Sequence, residues 1–207
     1  MPAFKLRGLY AITDSKLIAE NGFAETVEAA IKGGATIIQL REKNSEKAEI
    51  IRKGKMLAEI TQKYKIPLII NDSPEITKKT GADGVHLGGE DGNVKNARKL
   101  LGENAIIGVS CYGEIERGIA SEKAGANYVA FGTPYFTPTK PDRVPTPFEV
   151  LKEAKAKLKI PVFAIGGITP ENVADVLKTG VDGIAVITAI FGEEDTEKAA
   201  RRLTLTK

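Results

Sequence analysis

One alternation constrains this chain more than any other feature: eight short β-rich runs, each separated from the next by a stretch with helix signals. The runs are GLYAIT (8–13), IIQLRE (37–42), PLIIND (67–72), GVHLG (84–88), IIGVSC (106–111), YVAFG (128–132), PVFAIGG (161–167) and GIAVITAI (183–190). Several are almost continuously apolar, as in a parallel sheet covered by helices rather than an antiparallel sheet with one wet face. Eight βα units favour a closed (β/α)8 barrel, the TIM-barrel form of the α/β class, built as a single domain over residues 1–207. A doubly wound open sheet is the main alternative.

An internal repeat supports closure. GGATII, GADGVHL, GANYVAF and GVDGIAV, beginning at Gly33, Gly81, Gly125 and Gly180, each put glycine at a helix end just before an even-numbered strand. The third and seventh strands share KIP ahead of their apolar runs, at residues 65–67 and 159–161. Between strands, Ser45 is expected to open a helix patterned by Ile50, Ile51, Gly54 and Leu57. Thr169 and Pro170 are expected to act as N-cap and first helical residue before Val173, Val176 and Leu177.

A hydrophobic content of 42% with 28% charged residues excludes a disordered or membrane-embedded chain. A net charge of +3 with interspersed signs and only 6% aromatics argues against nucleic acid as a partner. The opening residues, MPAFKLRGLY, carry no long apolar segment, and the lone Cys111 rules out an intrachain disulfide, so a cytoplasmic setting without membrane contact is expected.

In a barrel of this kind functional groups gather at the carboxyl ends of the strands. The second strand ends in IIQLREK, residues 37–43. Side chains alternate, so Gln39, Arg41 and Lys43 share one face, roughly 7 Å apart, while Leu40 and Glu42 share the other. Arg41 and Lys43 either pair with surface carboxylates or await an anion. Asn71 and Asp72 end the third strand, and Glu90 and Asp91 follow the fourth. Carboxylates from neighbouring strands with few nitrogen or sulfur ligands suit a hard cation such as Mg²⁺, although Asp72 could also cap a helix and Asp91 an Asx turn. Beside this cationic ladder the metal and diphosphate reading is favoured, with Arg41 as a fork and Lys43 as a point charge.

Gly166 and Gly167 end the seventh strand, and Ile187 and Thr188 end the eighth, where such barrels often bind phosphate through main-chain N–H groups. Residues 132–147, GTPYFTPTKPDRVPTP, hold five of the ten prolines and read as a cover carrying Thr137, Thr139 and Lys140. Ser110 adds a hydroxyl at the fifth strand. His86, the only histidine, reads as a supporting residue, and Cys111 as packing. A site rich in anion binders and poor in acid–base groups suits a reaction driven by departure of a metal-bound diphosphate.

These residues resemble a known family, thiamine phosphate synthase, over nearly the whole chain. The matching motifs are QLREK (39–43), IIND (69–72), GVHLGGED (84–91), IIGVS (106–110), FGTPYFTPTKPD (131–142), IGGI (165–168) and VITAI (186–190). The resemblance implies that an aminopyrimidine diphosphate loses pyrophosphate and that the nitrogen of a thiazole phosphate attacks the exposed methylene, by a dissociative route. It implies pyrimidine diphosphate binding by the run Gln39, Leu40, Arg41, Glu42 and Lys43, with Asn71, Ser110 and Lys140. Arg41, Lys43, Ser110 and Lys140 would be the catalytic group. It implies a thiazole phosphate site at Thr137, Pro138, Thr139, Gly167, Ile187 and Thr188, and Mg²⁺ on Asp72 and Asp91. The partners it implies are small phosphorylated molecules, with a homodimer left open. Three departures stand out. Gly89 replaces a customary glutamine, Thr188 a serine, and Cys111-Tyr112 fills a turn where related thiazole tautomerases carry a histidine.

Overall fold

Glycine followed two residues later by Asp or Asn is what ties the strands into a ring. In the computed structural model, which describes residues 4–89, 92–137 and 144–204, Gly81, Gly125 and Gly180 all adopt positive φ. Each lets the chain leave a helix and turn directly into a strand. Asp83, Asn127 and Asp182 then accept an N–H from the start of the preceding strand, from Leu68 (2.9 Å), Ile107 (2.8 Å) and Val162 (2.7 Å). The main-chain N–H of each returns a bond to the carbonyl of the same residue. In the first copy of the repeat the positive φ falls on Gly34 instead, and Thr36 hydrogen-bonds to the carbonyls of Arg7 and Leu9.

The strands are β1 (Gly8–Ile12), β2 (Ala35–Leu40), β3 (Leu68–Asn71), β4 (Gly84–Leu87), β5 (Ile106–Tyr112), β6 (Tyr128–Gly132), β7 (Val162–Ile165) and β8 (Gly183–Val186). All pair in parallel with their sequence neighbours, and β8 closes onto β1 with Gly8 opposite Gly183 and Ala11 opposite Val186. The helices among the described residues are α1 (Phe23–Lys32), α2 (Lys47–Tyr64), α3 (Pro74–Thr80), α4 (Val94–Leu101), α5 (Ile115–Lys123), α6 (Phe148–Lys157), α7 (Val173–Leu177), α8 (Thr188–Phe191) and α9 (Thr196–Thr204). The chain is thus a TIM barrel, and the open-sheet alternative falls.

Strand alternation splits the apolar residues into two cores. Leu9, Ala11, Ile38, Leu40, Ile70 and Val129 face outward and pack under the helices. Tyr10, Ile12, Ile37, Ile69, Ile106, Tyr128 and Phe163 fill the barrel itself, so its interior is packed core with a mouth at the carboxyl ends.

Local expectations fare unevenly. Ser45 does not open α2, which starts at Lys47 after Glu46, because its hydroxyl is engaged with Glu42. α7 starts at Val173 after Asn172, with a turn over residues 170–172 that draws the N–H groups of Asn172 and Val173 to the Thr169 carbonyl. The eighth strand ends at Val186 rather than at residue 190, and Thr188 begins a short helix. No helix among the described residues is long and apolar enough to cross a membrane.

Candidate active site

The carboxyl ends of the strands enclose a cavity of about 350 Å³. Its wall includes Gln39 and Arg41 from the end of β2, Asn71 from β3, His86 from β4 and Ser110 from β5. Thr137 reaches it from the loop after β6, Gly166 and Gly167 from the end of β7, and Ile187 and Thr188 from the end of β8. Of the residues expected to bind substrate, Gln39, Arg41, Asn71, Ser110, Thr137, Gly167, Ile187 and Thr188 therefore share one cavity. Pro138, Thr139, Lys140, Glu90 and Asp91 lie outside the described residues.

Leu40 and Glu42 are corrections. The pleat that sends Gln39 and Arg41 inward turns these two toward the helices. Leu40 is buried in the outer core. Glu42, with no exposed side-chain surface, accepts from Lys53 on α2 (3.1 Å) and from Ser45 (2.7 Å). Its charge holds the helical layer to the end of β2.

Arg41 is half-buried and donates from Nη1 to Asp14 (2.9 Å), while its main-chain N–H donates to Thr13 (3.0 Å). Lys43 is exposed, lies beyond the cavity wall, and pairs with Asp72. Both cations expected to await an anion thus have a carboxylate counterion within the protein itself. Sequence reasoning missed Asp14. It stands two residues past β1, so the rule that strand ends carry function pointed at it.

Asp72 does not cap α3. Ser73 takes that role, accepting from the Ile76 N–H (3.3 Å). The Asp72 backbone lies at φ 66°, a left-handed conformation that costs a non-glycine residue strain and concentrates at functional sites. Among the described residues no three His, Cys, Asp or Glu side chains cluster as a ready-made metal cage. An exclusively carboxylate contribution of one or two residues fits Mg²⁺, which keeps water and phosphate oxygens in its shell. The Lys43 ammonium on Asp72 shows that this carboxylate takes a cation.

The opposite wall is main chain. Gly166 and Gly167 have φ values of 114° and 62°, a turn that L side chains rarely adopt and that leaves main chain, not side chain, bordering the cavity. A Cβ on Gly167 would overlap the carbonyl of Phe136, so glycine here is what lets the loop after β6 lie against the site. Thr133 donates to the Gly166 carbonyl and Asn172 to that of Gly167 (2.9 Å), fixing the turn.

Tyr112 also lines the cavity, at φ 55°. Its hydroxyl accepts the Gly89 N–H (3.0 Å), and Arg117 lies 5.6 Å from its ring while donating to the Ser110 and Gly88 carbonyls. A Cβ on Gly89 would approach that hydroxyl to 3.1 Å, so the glycine and the tyrosine form a matched pair. Cys111, next to it, points into the outer core, where burial pushes its thiol up to about 12. It packs and is inert at neutral pH.

The family model described as thiamine monophosphate synthase matches residues 9–190. The chain belongs to the thiamine monophosphate synthase family. It is 44% identical over 195 residues to a thiamine-phosphate synthase of Nitrosococcus oceani, covering 94% of this chain and 90% of that protein. Against a thiamine-phosphate synthase of Clostridium novyi the identity is 47%, covering 94% and 96%. Among solved structures, the thiamine phosphate pyrophosphorylase of Pyrococcus furiosus superposes with a TM-score of 0.88 at 41% identity, covering 96% of this chain and 94% of that one. Membership in the family and the barrel's cavity agree on an enzyme acting on small phosphorylated substrates.

Proposed function

We propose that this chain is a thiamine-phosphate synthase, joining 4-amino-2-methyl-5-(diphosphooxymethyl)pyrimidine to 4-methyl-5-(2-phosphoethyl)thiazole or its carboxylated form. The observation that carries this reading is one cavity with two unlike walls. Arg41 stands on one and the glycine turn at Gly166 and Gly167 on the other, which suits two phosphorylated substrates held at once.

In this reading the pyrimidine methylene–oxygen bond breaks with its electron pair leaving on pyrophosphate. The thiazole nitrogen then supplies a pair to the methylene carbon to form the new C–N bond. Arg41, Lys43, Ser110 and Lys140 stabilise the departing diphosphate, and Gln39 and Asn71 hold the pyrimidine. Asp72 and Asp91 would hold Mg²⁺, which supplies neutralising charge to the diphosphate. Thr137, Thr139, Gly167, Ile187 and Thr188 position the thiazole phosphate. Positioning and charge stabilisation supply most of the acceleration, consistent with a cavity that offers few acid–base groups. Tyr112, in the turn where related tautomerases carry histidine, favours the joining reaction over tautomerisation. The proposed setting is cytoplasmic, with a homodimer open to test by sizing the purified protein.

The test is to incubate purified protein with both substrates and Mg²⁺ and to detect thiamine phosphate by its fluorescence after oxidation. Product is expected, and it should vanish with EDTA and return with added Mg²⁺. Folded protein that forms none would overturn the reading.

A further inference from the structure

A chain of polar groups crosses the barrel at the floor of the cavity. Gln39 Nε2 donates to the Tyr10 hydroxyl (2.6 Å), which contacts the Tyr128 hydroxyl (2.8 Å). Tyr128 contacts His86 Nδ1 (3.0 Å), and His86 Nε2 contacts Ser110 Oγ (2.9 Å). Gln39, Tyr10, His86 and Ser110 all line the cavity, with Gln39 and Ser110 at the two ends of the chain and Tyr128 set back behind it.

Counting hydrogens gives the chain a direction. An amide nitrogen carries only donors, so Tyr10 accepts from Gln39, and its own buried hydrogen finds its acceptor in the Tyr128 oxygen. Tyr128, having accepted, passes its own to His86 Nδ1. An imidazole accepting at Nδ1 is neutral and carries its hydrogen on Nε2, which then donates to Ser110. Ser110 Oγ accepts from below, so its own hydrogen is left to point into the cavity. Burial raises both phenols far above their ordinary range, so each keeps the one hydrogen that the count requires.

The surroundings hold the links in place. Tyr128 stacks on His86 and meets Tyr10 and Phe163 edge to face, with ring centroids 5.4–5.8 Å apart. Gly108 is bare because any Cβ there would overlap the Tyr128 ring. Apolar side chains could fill this space without any need for paired polar groups. The polar ones are explained if the network orients the side chains that border the cavity, Gln39 and Ser110 at its ends above all.

We propose that Tyr10, Tyr128 and His86 are positioning residues that lock the Ser110 hydroxyl as a hydrogen-bond donor to an acceptor atom of the pyrimidine diphosphate substrate. The identity of that acceptor rests on the proposed function, whereas the direction of the relay does not.

His86 is the only histidine, so nitrogen-15-labelled histidine gives one ring to read. The wild-type spectrum should show a protonated Nε2 and a bare Nδ1. Hydrogen on Nδ1, on both nitrogens, or averaged between them overturns the relay. Tyr128→Phe should release the tautomer preference and lower kcat on the order of tenfold, the scale of one hydrogen bond, with KM for the thiazole phosphate unchanged. In a Ser110→Ala background the same substitution should cost less than about twofold more, because it acts through Ser110. Full multiplication of the two effects would show that it acts elsewhere. If Tyr128→Phe does not fold, the wild-type spectrum still decides. A wild-type protein that makes no thiamine phosphate yet shows the Nε2 tautomer would defeat the proposed function and leave the relay's direction standing.

Discussion

At the β2 end the cavity meets Arg41, its charge already matched by Asp14, whereas at the β7 end it meets the main chain of Gly166 and Gly167, whose dipoles are oriented by backbone geometry. A half-buried side-chain cation needs a counterion, and here the Asp14 carboxylate supplies it. Main-chain N–H groups need none, because the turn that directs them is part of the fold. The first wall should therefore fail when a side chain is truncated, and the second when an atom is added.

The largest expected effect breaks the first wall. Arg41→Ala removes a charge-assisted fork and leaves Asp14 facing the cavity, so kcat should fall by about a hundredfold or more, with KM for the pyrimidine diphosphate rising. KM for the thiazole phosphate should stay within about twofold. Steady-state kinetics with each substrate varied in turn provides the check, and a rise confined to the thiazole phosphate would mean that the walls are assigned the wrong way round.

Glu42→Ala sharpens the contrast within a single motif. Glu42 points away from the cavity and meets Lys53 on α2, which also reaches Glu20 (3.0 Å) and keeps that partner when Glu42 is lost. The expected loss is about 2 kcal/mol of stability, below the full cost of orphaning a buried charge. kcat should be retained. Urea unfolding beside an activity assay separates the two, and a large loss of turnover in a protein of unchanged stability would return Glu42 to the binding surface.

These two neighbours also show how far the sequence could be read. Alternation alone put Gln39 and Arg41 on one face and Glu42 on the other, so the geometry was legible, and the motif resemblance overrode it by taking the run whole. The barrel was legible because each even strand announces itself with glycine and most carry an Asp or Asn clamp. The end of β8 was not, since VITAI is apolar and β-branched whether it runs as strand or, as here, enters a helix at Thr188. The link from Tyr10 to Tyr128 could not be read at all. It joins residues 118 apart in sequence on β1 and β6, strands that never pair and whose side chains reach each other only across the barrel interior.

Gly167→Ala tests the second wall from the opposite direction. The added Cβ meets the Phe136 main chain, and φ 62° disfavours any L side chain, so the turn or the covering loop must shift. About a tenfold rise in KM for the thiazole phosphate is expected, with the pyrimidine diphosphate little affected. Equal effects on both substrates would mean that the glycine matters only through the covering loop.

Thr188→Val should have the smallest effect and divides the second wall most finely. The substitution keeps the β-branched shape of the first residue of α8 and removes only the hydroxyl, leaving the main chain at Ile187 and Gly167 as it was. If the main chain carries most of the phosphate binding, the loss is one exposed hydrogen bond, and KM for the thiazole phosphate should rise by only about threefold to fivefold. A loss as large as that of Arg41→Ala would mean that this wall too depends on a side chain. The distinction between fixed dipoles and matched charges would then no longer separate the two halves of the cavity.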